Sequence, residues 1–142
     1  MQSLPWTIWA FLSAIFAALT AIFGKVGVAD IPSSFATLLR TVVILVMIAG
    51  VVVASGSWQP LGSVSGRNYT FLVLSGLAGG ASWLCYYQAL KIGPASGVAA
   101  LDKTSVVMVA VFAALLLGEH LGPRGWAGIG LVALGSVLVA TA

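Results

Sequence analysis

Residues Ser33–Ala54 read SSFATLLRTVVILVMIAGVVVA, twenty-two positions with one charge, Arg40, and thirteen consecutive apolar or glycine residues from Val42 to Ala54. As a helix this stretch is about 33 Å long, enough to cross a hydrocarbon core of ~30 Å. Pro32 precedes it, and Ser55 to Asn68, rich in Ser and Gly with Trp58 and Pro60, reads as the loop that follows. A charge inside such a span is costly and is the first suspect for function.

Working outward, the rest of the chain repeats the pattern. Met1 to Gly24, Thr41 to Gly66, Asn68 to Leu90, Thr104 to Gly118 and Gly125 to Ala142 carry no charge at all. Of nine charged residues, only Arg40, Asp102 and Lys103 fall inside apolar segments. The chain of 142 residues is 61% hydrophobic and 6% charged, against about 25% charged in soluble domains. Five helices are expected: Leu4 to Phe23, Ser33 to Ala54, Tyr69 to Leu90, Ala95 to Leu117 and Trp126 to Ala140. The fold class is therefore all-α, a polytopic membrane protein built as a bundle of about five transmembrane helices in the lipid bilayer. Trp6, Trp9, Tyr69 and Trp126 stand near helix starts, where aromatic rings prefer the headgroup region. Pro32 and Pro94 fit the first turns of helices two and four. The first apolar run has no basic residue before it, so it reads as a retained span rather than a secretory signal.

Several function classes are excluded. A net charge of +3 spread along the chain offers no basic patch for nucleic acid. Cys85 is the single cysteine and His120 the single histidine, so one copy holds neither an internal disulfide nor a multi-histidine metal site. No phosphate-cradling loop or catalytic constellation is visible, so no enzyme activity, metal or cofactor is expected.

Arg40 and Asp102 each lie eight residues after a helix-opening proline, Pro32 and Pro94. On helices running in the same direction, both sit about 12 Å in from the same side. Facing one another or water lowers their cost in the membrane. Lys103 is the alternative partner of Asp102, and Thr104 and Ser105 extend the polar cluster. Trp83, Tyr86 and Tyr87 in helix three are candidates to stack on an organic solute or cation. Together these residues form a candidate substrate or ion pathway. The competing reading is a buried ion pair that only fixes packing. Glu119, seventeen residues after Asp102, belongs near the opposite surface with His120 and Arg124, in a structural or interfacial role. Small residues, including Gly76 and Gly80 in helix three, suit close helix packing.

Gly24-Lys25, Pro32 and Arg40 resemble the first half of an EamA-type unit. Tyr86-Tyr87-Gln88-Ala89-Leu90-Lys91, followed by Gly93 and Ala95, resembles its third-to-fourth helix junction. Leu115 to Glu119 and the Gly-rich segment Gly125 to Gly135 resemble its end. The resemblance covers nearly the whole chain and implies one EamA-like domain over residues 1–142, a single-unit member of the drug/metabolite transporter superfamily. Where many members carry a proline in the fourth helix, thirteen residues before Glu119, this chain has Val106. The first helix has no acidic residue, unlike four-helix relatives in the same superfamily.

The resemblance implies a secondary transporter of small organic solutes or metabolites in the cytoplasmic (inner) membrane of a prokaryote. A second copy would supply the repeat that larger relatives carry in one chain, so a homodimer is expected. The rival is a non-transporting membrane scaffold or regulatory subunit of another complex. Lys25 and Lys91 fall on one side of the membrane and Arg67 and Arg124 on the other. This tie allows insertion in both orientations and an antiparallel pair. Snorkelling by Arg40 and Lys103 would favour one side as cytoplasmic.

Overall fold

The first residues that break the expected pattern are Lys103 and Thr104, where a helix of the computed structural model stops and restarts. The structure describes residues 5–142; the expected helix start at Leu4 lies outside them. Among the described residues six α-helices follow one another: α1 (Trp6–Gly27), α2 (Ser33–Ala54), α3 (Gly66–Ile92), α4 (Ala95–Asp102), α5 (Ser105–Phe112) and α6 (Pro123–Ala140). A 3₁₀ turn occupies Leu61–Ser63, and five residues of π-helix, Ala113–Leu117, continue α5. No strand occurs among the described residues.

The chain is an all-α, multi-pass membrane protein. Trp6–Gly27, Ser33–Ala54, Ala95–Leu117 and Pro123–Ala140 are each long and apolar enough to cross a bilayer. At 27 residues α3 is also long enough, but its glycines, serines and Gln88 dilute its apolar content. Large apolar side chains point outward along all these helices, Val43, Leu45 and Val46 being about two-thirds exposed. In water that surface would drive aggregation; in hydrocarbon it is the surface such a helix needs.

Local chemistry sets the helix ends. Pro32 and Pro94 stand one position before α2 and α4, in extended conformation (ψ 134° and 139°), rather than inside the first turn. Each offers its carbonyl to the first intrahelical bond, from Ala36 and Val98 at 3.0 Å. α3 begins at Gly66, three residues before Tyr69, because the Ser65 hydroxyl caps the start by accepting the Asn68 N–H at 3.2 Å. α6 begins at Pro123 rather than Trp126, since proline suits a first turn whose N–H groups have no partner.

The chain forms two compact units. One comprises Met1–Val26 with Ile92–Ala142, the other Gly27–Lys91. In the first, α4 and α5 both pack on α6. Gly97 is buried there, and a Cβ built on it meets the Ala140 Cα at 3.8 Å, so the start of α4 lies against the end of α6. Lys25, at the end of α1, donates to the Gly93 carbonyl at 2.8 Å, just before α4. In the second unit α2 and α3 are joined by side chains. Lys91 donates to the Ile31 carbonyl at 2.7 Å, and the Ser33 hydroxyl bonds the Gln88 amide oxygen. These contacts set the start of α2 beside the end of α3, an antiparallel pair. Gly76, Gly80, Gly128 and Gly135 face open space rather than a neighbouring helix of this chain.

Candidate functional site

The candidate pathway residues fall into two groups, one in each unit. In the α2–α3 unit the guanidinium of Arg40 lies over Trp83, its carbon 4.4 Å from the ring centroid, and over Tyr87 at 5.5 Å. Trp83 and Tyr87 are four residues apart on α3, so one helix face presents both rings. Tyr87 is buried and makes a tilted contact with Tyr86, ring centroids 6.4 Å apart. The π faces attract the cation electrostatically, worth ~0.5–2 kcal/mol per ring depending on desolvation. The aromatic cluster of α3 thus holds a cation supplied by its own chain. The spacing in sequence shows the aromatics but not the partner, which depends on the α2–α3 register.

The second group lies where the fourth span is interrupted. Asp102 closes α4 and Ser105 opens α5. Across the junction four hydrogen bonds, two on each side of Ser105, reach back three residues instead of four. Lys103, Thr104, Val106 and Val107 donate to Ala100, Leu101, Lys103 and Thr104 at 2.9–3.1 Å. The span from Ala95 to Leu117 is therefore not the single uninterrupted helix expected from its sequence. The Thr104 hydroxyl also donates to the Leu101 carbonyl at 2.7 Å, so this carbonyl receives both groups of one residue. Such back-bonding by threonine competes with the regular ladder. A 3₁₀ stretch within a helix is a recurrent hinge.

Asp102 and Lys103 pair with each other at 3.6 Å, with side chains 42% and 55% exposed respectively. Lys103 is the partner Asp102 has within its own unit, and Arg40 has its rings within the other. Ser105 is exposed and Thr104 half-buried beside the pair. The arrangement keeps opposite charges, two hydroxyls and a locally tightened backbone at one level of a span.

Glu119 lies outside this group. After the π-helical turn Gly118 takes the left-handed conformation (φ 67°), and the Glu119 N–H donates to the Ala113 carbonyl at 3.1 Å. Glu119 and His120 are exposed in the connection to α6.

Long apolar helices with charged and hydroxyl groups inside their spans, one span broken at those groups, define a multi-pass helical membrane protein with polar chemistry at membrane depth. The EamA-like transporter family matches residues 4–141, and the chain belongs to that family. A relative from Sinorhizobium sp., named "Uncharacterized transporter in cobO 3'region", is 58% identical over 139 residues, which is 98% of this chain and 99% of the relative. No solved structure matches the chain.

Proposed function

We propose that the protein is a secondary transporter of small organic solutes, working as a homodimer in the cytoplasmic membrane of a prokaryote. The observation that carries this reading is the interruption of the fourth span at Asp102–Ser105, with an accessible ion pair at the break. Discontinuous spans that bring polar groups to membrane depth are where transporters hold solutes and coupling ions. The bacterial relative named as a transporter supports the same role. Arg40, Trp83, Tyr86 and Tyr87 in one unit, and Asp102, Lys103, Thr104 and Ser105 in the other, are assigned to the pathway. Glu119 is assigned to the interface.

The test is flux. Purified protein in liposomes should move a solute from a broad radiolabelled panel faster than protein-free liposomes. Asp102→Asn should abolish the response of that flux to an imposed pH gradient. Absence of flux across the panel, together with co-purification of a fixed membrane partner, would assign the chain to the scaffold class instead.

A further inference from the structure

Arg40 is held in an unusual way for a charge inside a span. Trp83 and Tyr87 meet the guanidinium through their π faces. A ring face offers no oxygen or nitrogen lone pair to the five N–H donors of a guanidinium. Within the unit Gly27–Lys91 no carbonyl, hydroxyl or carboxylate accepts from Arg40. The one acid of that unit, Asp30, precedes α2, against three cations, Arg40, Arg67 and Lys91. N–H donors taken from water without an acceptor are costly.

The register places those donors below the headgroups. Lys91 is at the level of Ile31, where the connector enters α2. Tyr87 lies one turn and Trp83 two turns further along α3, about 6 and 12 Å deeper. The guanidinium carbon is nearer Trp83 than Tyr87. The guanidinium thus stays beside Trp83 and Tyr87, short of the level of Lys91 to which a fully snorkelling arginine would extend. Lys91, at the helix end, is the residue placed to meet lipid phosphates.

We propose that Arg40 is an oxyanion-binding residue: the N–H donors of its guanidinium take the carboxylate or phosphate group of a solute, while the ring faces of Trp83 and Tyr87 hold the cation in place. The planar fork matches either oxyanion through two parallel N–H bonds. The inference rests on the transport reading for its physiological meaning and gives that reading a substrate class, organic anions. Binding itself is independent of flux.

The experiment uses the full chain purified in an uncharged detergent and follows its thermal unfolding. Hexanoate, benzoate and phenyl phosphate are compared with benzyl alcohol, benzylamine and sodium chloride at equal ionic strength. A bound oxyanion raises the apparent Tm by mass action. The expected result is saturable stabilisation by at least one oxyanion and none by the alcohol, amine or chloride. Arg40→Lys, which keeps the charge but loses the fork, should weaken that response about tenfold. Trp83→Phe, which keeps a ring, should weaken it less and serves if the lysine variant does not fold. A flat wild-type response to all three oxyanions, or an equal response to chloride, overturns the proposal. Stabilisation in nanodiscs by phosphatidylglycerol over phosphatidylcholine, with no response to the soluble oxyanions, assigns the acceptor to a headgroup and also overturns it. So does a flat response combined with strongly non-additive stability losses in Arg40→Gln and Asp102→Asn, which assigns the acceptor to Asp102. Oxyanion binding without flux leaves the site standing and removes the transport reading; flux of uncharged solutes without oxyanion binding does the reverse.

Discussion

Arg40 illustrates what one residue can demand of a helix pair. Its position was visible from the charge pattern, since nothing else in Ser33–Ala54 is charged. Its partners were not, because they depend on which face of α3 meets α2. That choice is set by two long-range bonds, Lys91 to Ile31 and Ser33 to Gln88. The two rings differ in what they contribute. Trp83 lies closer and has the stronger quadrupole, whereas Tyr87 uses its ring face and not its hydroxyl toward Arg40. Trp83→Ala is therefore expected to destabilise the protein by about 1–3 kcal/mol, combining the lost cation contact with lost ring contacts. Tyr87→Phe should change stability by less than about 0.5 kcal/mol. Thermal unfolding of the two variants in the same detergent measures the contrast; equal losses would mean the tyrosine hydroxyl matters more than its ring.

At the scale of elements, the helices were legible from their apolar runs, and so was the fourth span as a unit. Its interruption was not. Proline and glycine are the usual breakers, and neither occurs between Gly97 and Gly118; even the position where related units carry proline is Val106. The break comes instead from Thr104, whose hydroxyl and N–H converge on the Leu101 carbonyl. Thr104→Val keeps the side-chain shape and removes that second bond. It is expected to leave Tm unchanged or raise it by a few degrees, while slowing solute flux, since a straightened span no longer offers the tightened turn. Loss of stability with full flux would show that the break is only structural. The small residues divide in a similar way. Gly97 lies where α4 comes close to α6, whereas Gly76 and Gly80, the more obvious sequence motif, face open space. Gly97→Ala places a methyl 3.3 Å from the Pro94 ring and 3.8 Å from Ala140, a contact that small shifts accommodate. Gly97→Val adds branched bulk and should cost about 1–3 kcal/mol, read as a lower Tm. Gly80→Val serves as the control and should cost less.

For the whole molecule, the lysines carry topological weight. Lys25 and Lys91 each grip a backbone carbonyl in the connector that leads into another span of their own unit, Gly93 before α4 and Ile31 before α2. The two cations expected to tally on one side of the membrane thus each tie down a helix entry within their own unit. With Arg67 and Arg124 expected on the other side, the loop tally is even. The expected outcome is dual insertion: C-terminal reporters active only in the cytoplasm and only outside it should both give signal. Adding one lysine beside Lys25 should then silence one of them. Signal from a single reporter in the unmodified chain would rule out the antiparallel homodimer.

The helices also differ in length. α6 has 18 residues and α3 has 27, about 27 and 40 Å at the usual helical rise. A bilayer of ~30 Å is slightly too thick for the first and too thin for the second. α3 adapts cheaply, since its polar ends at Arg67, Asn68 and Lys91 can stand among headgroups or the helix can tilt. α6 has no such reserve: lengthening the acyl chains draws Arg124 and Thr141 toward hydrocarbon. The short α6 is therefore the helix whose fit to the bilayer is most sensitive to hydrocarbon thickness.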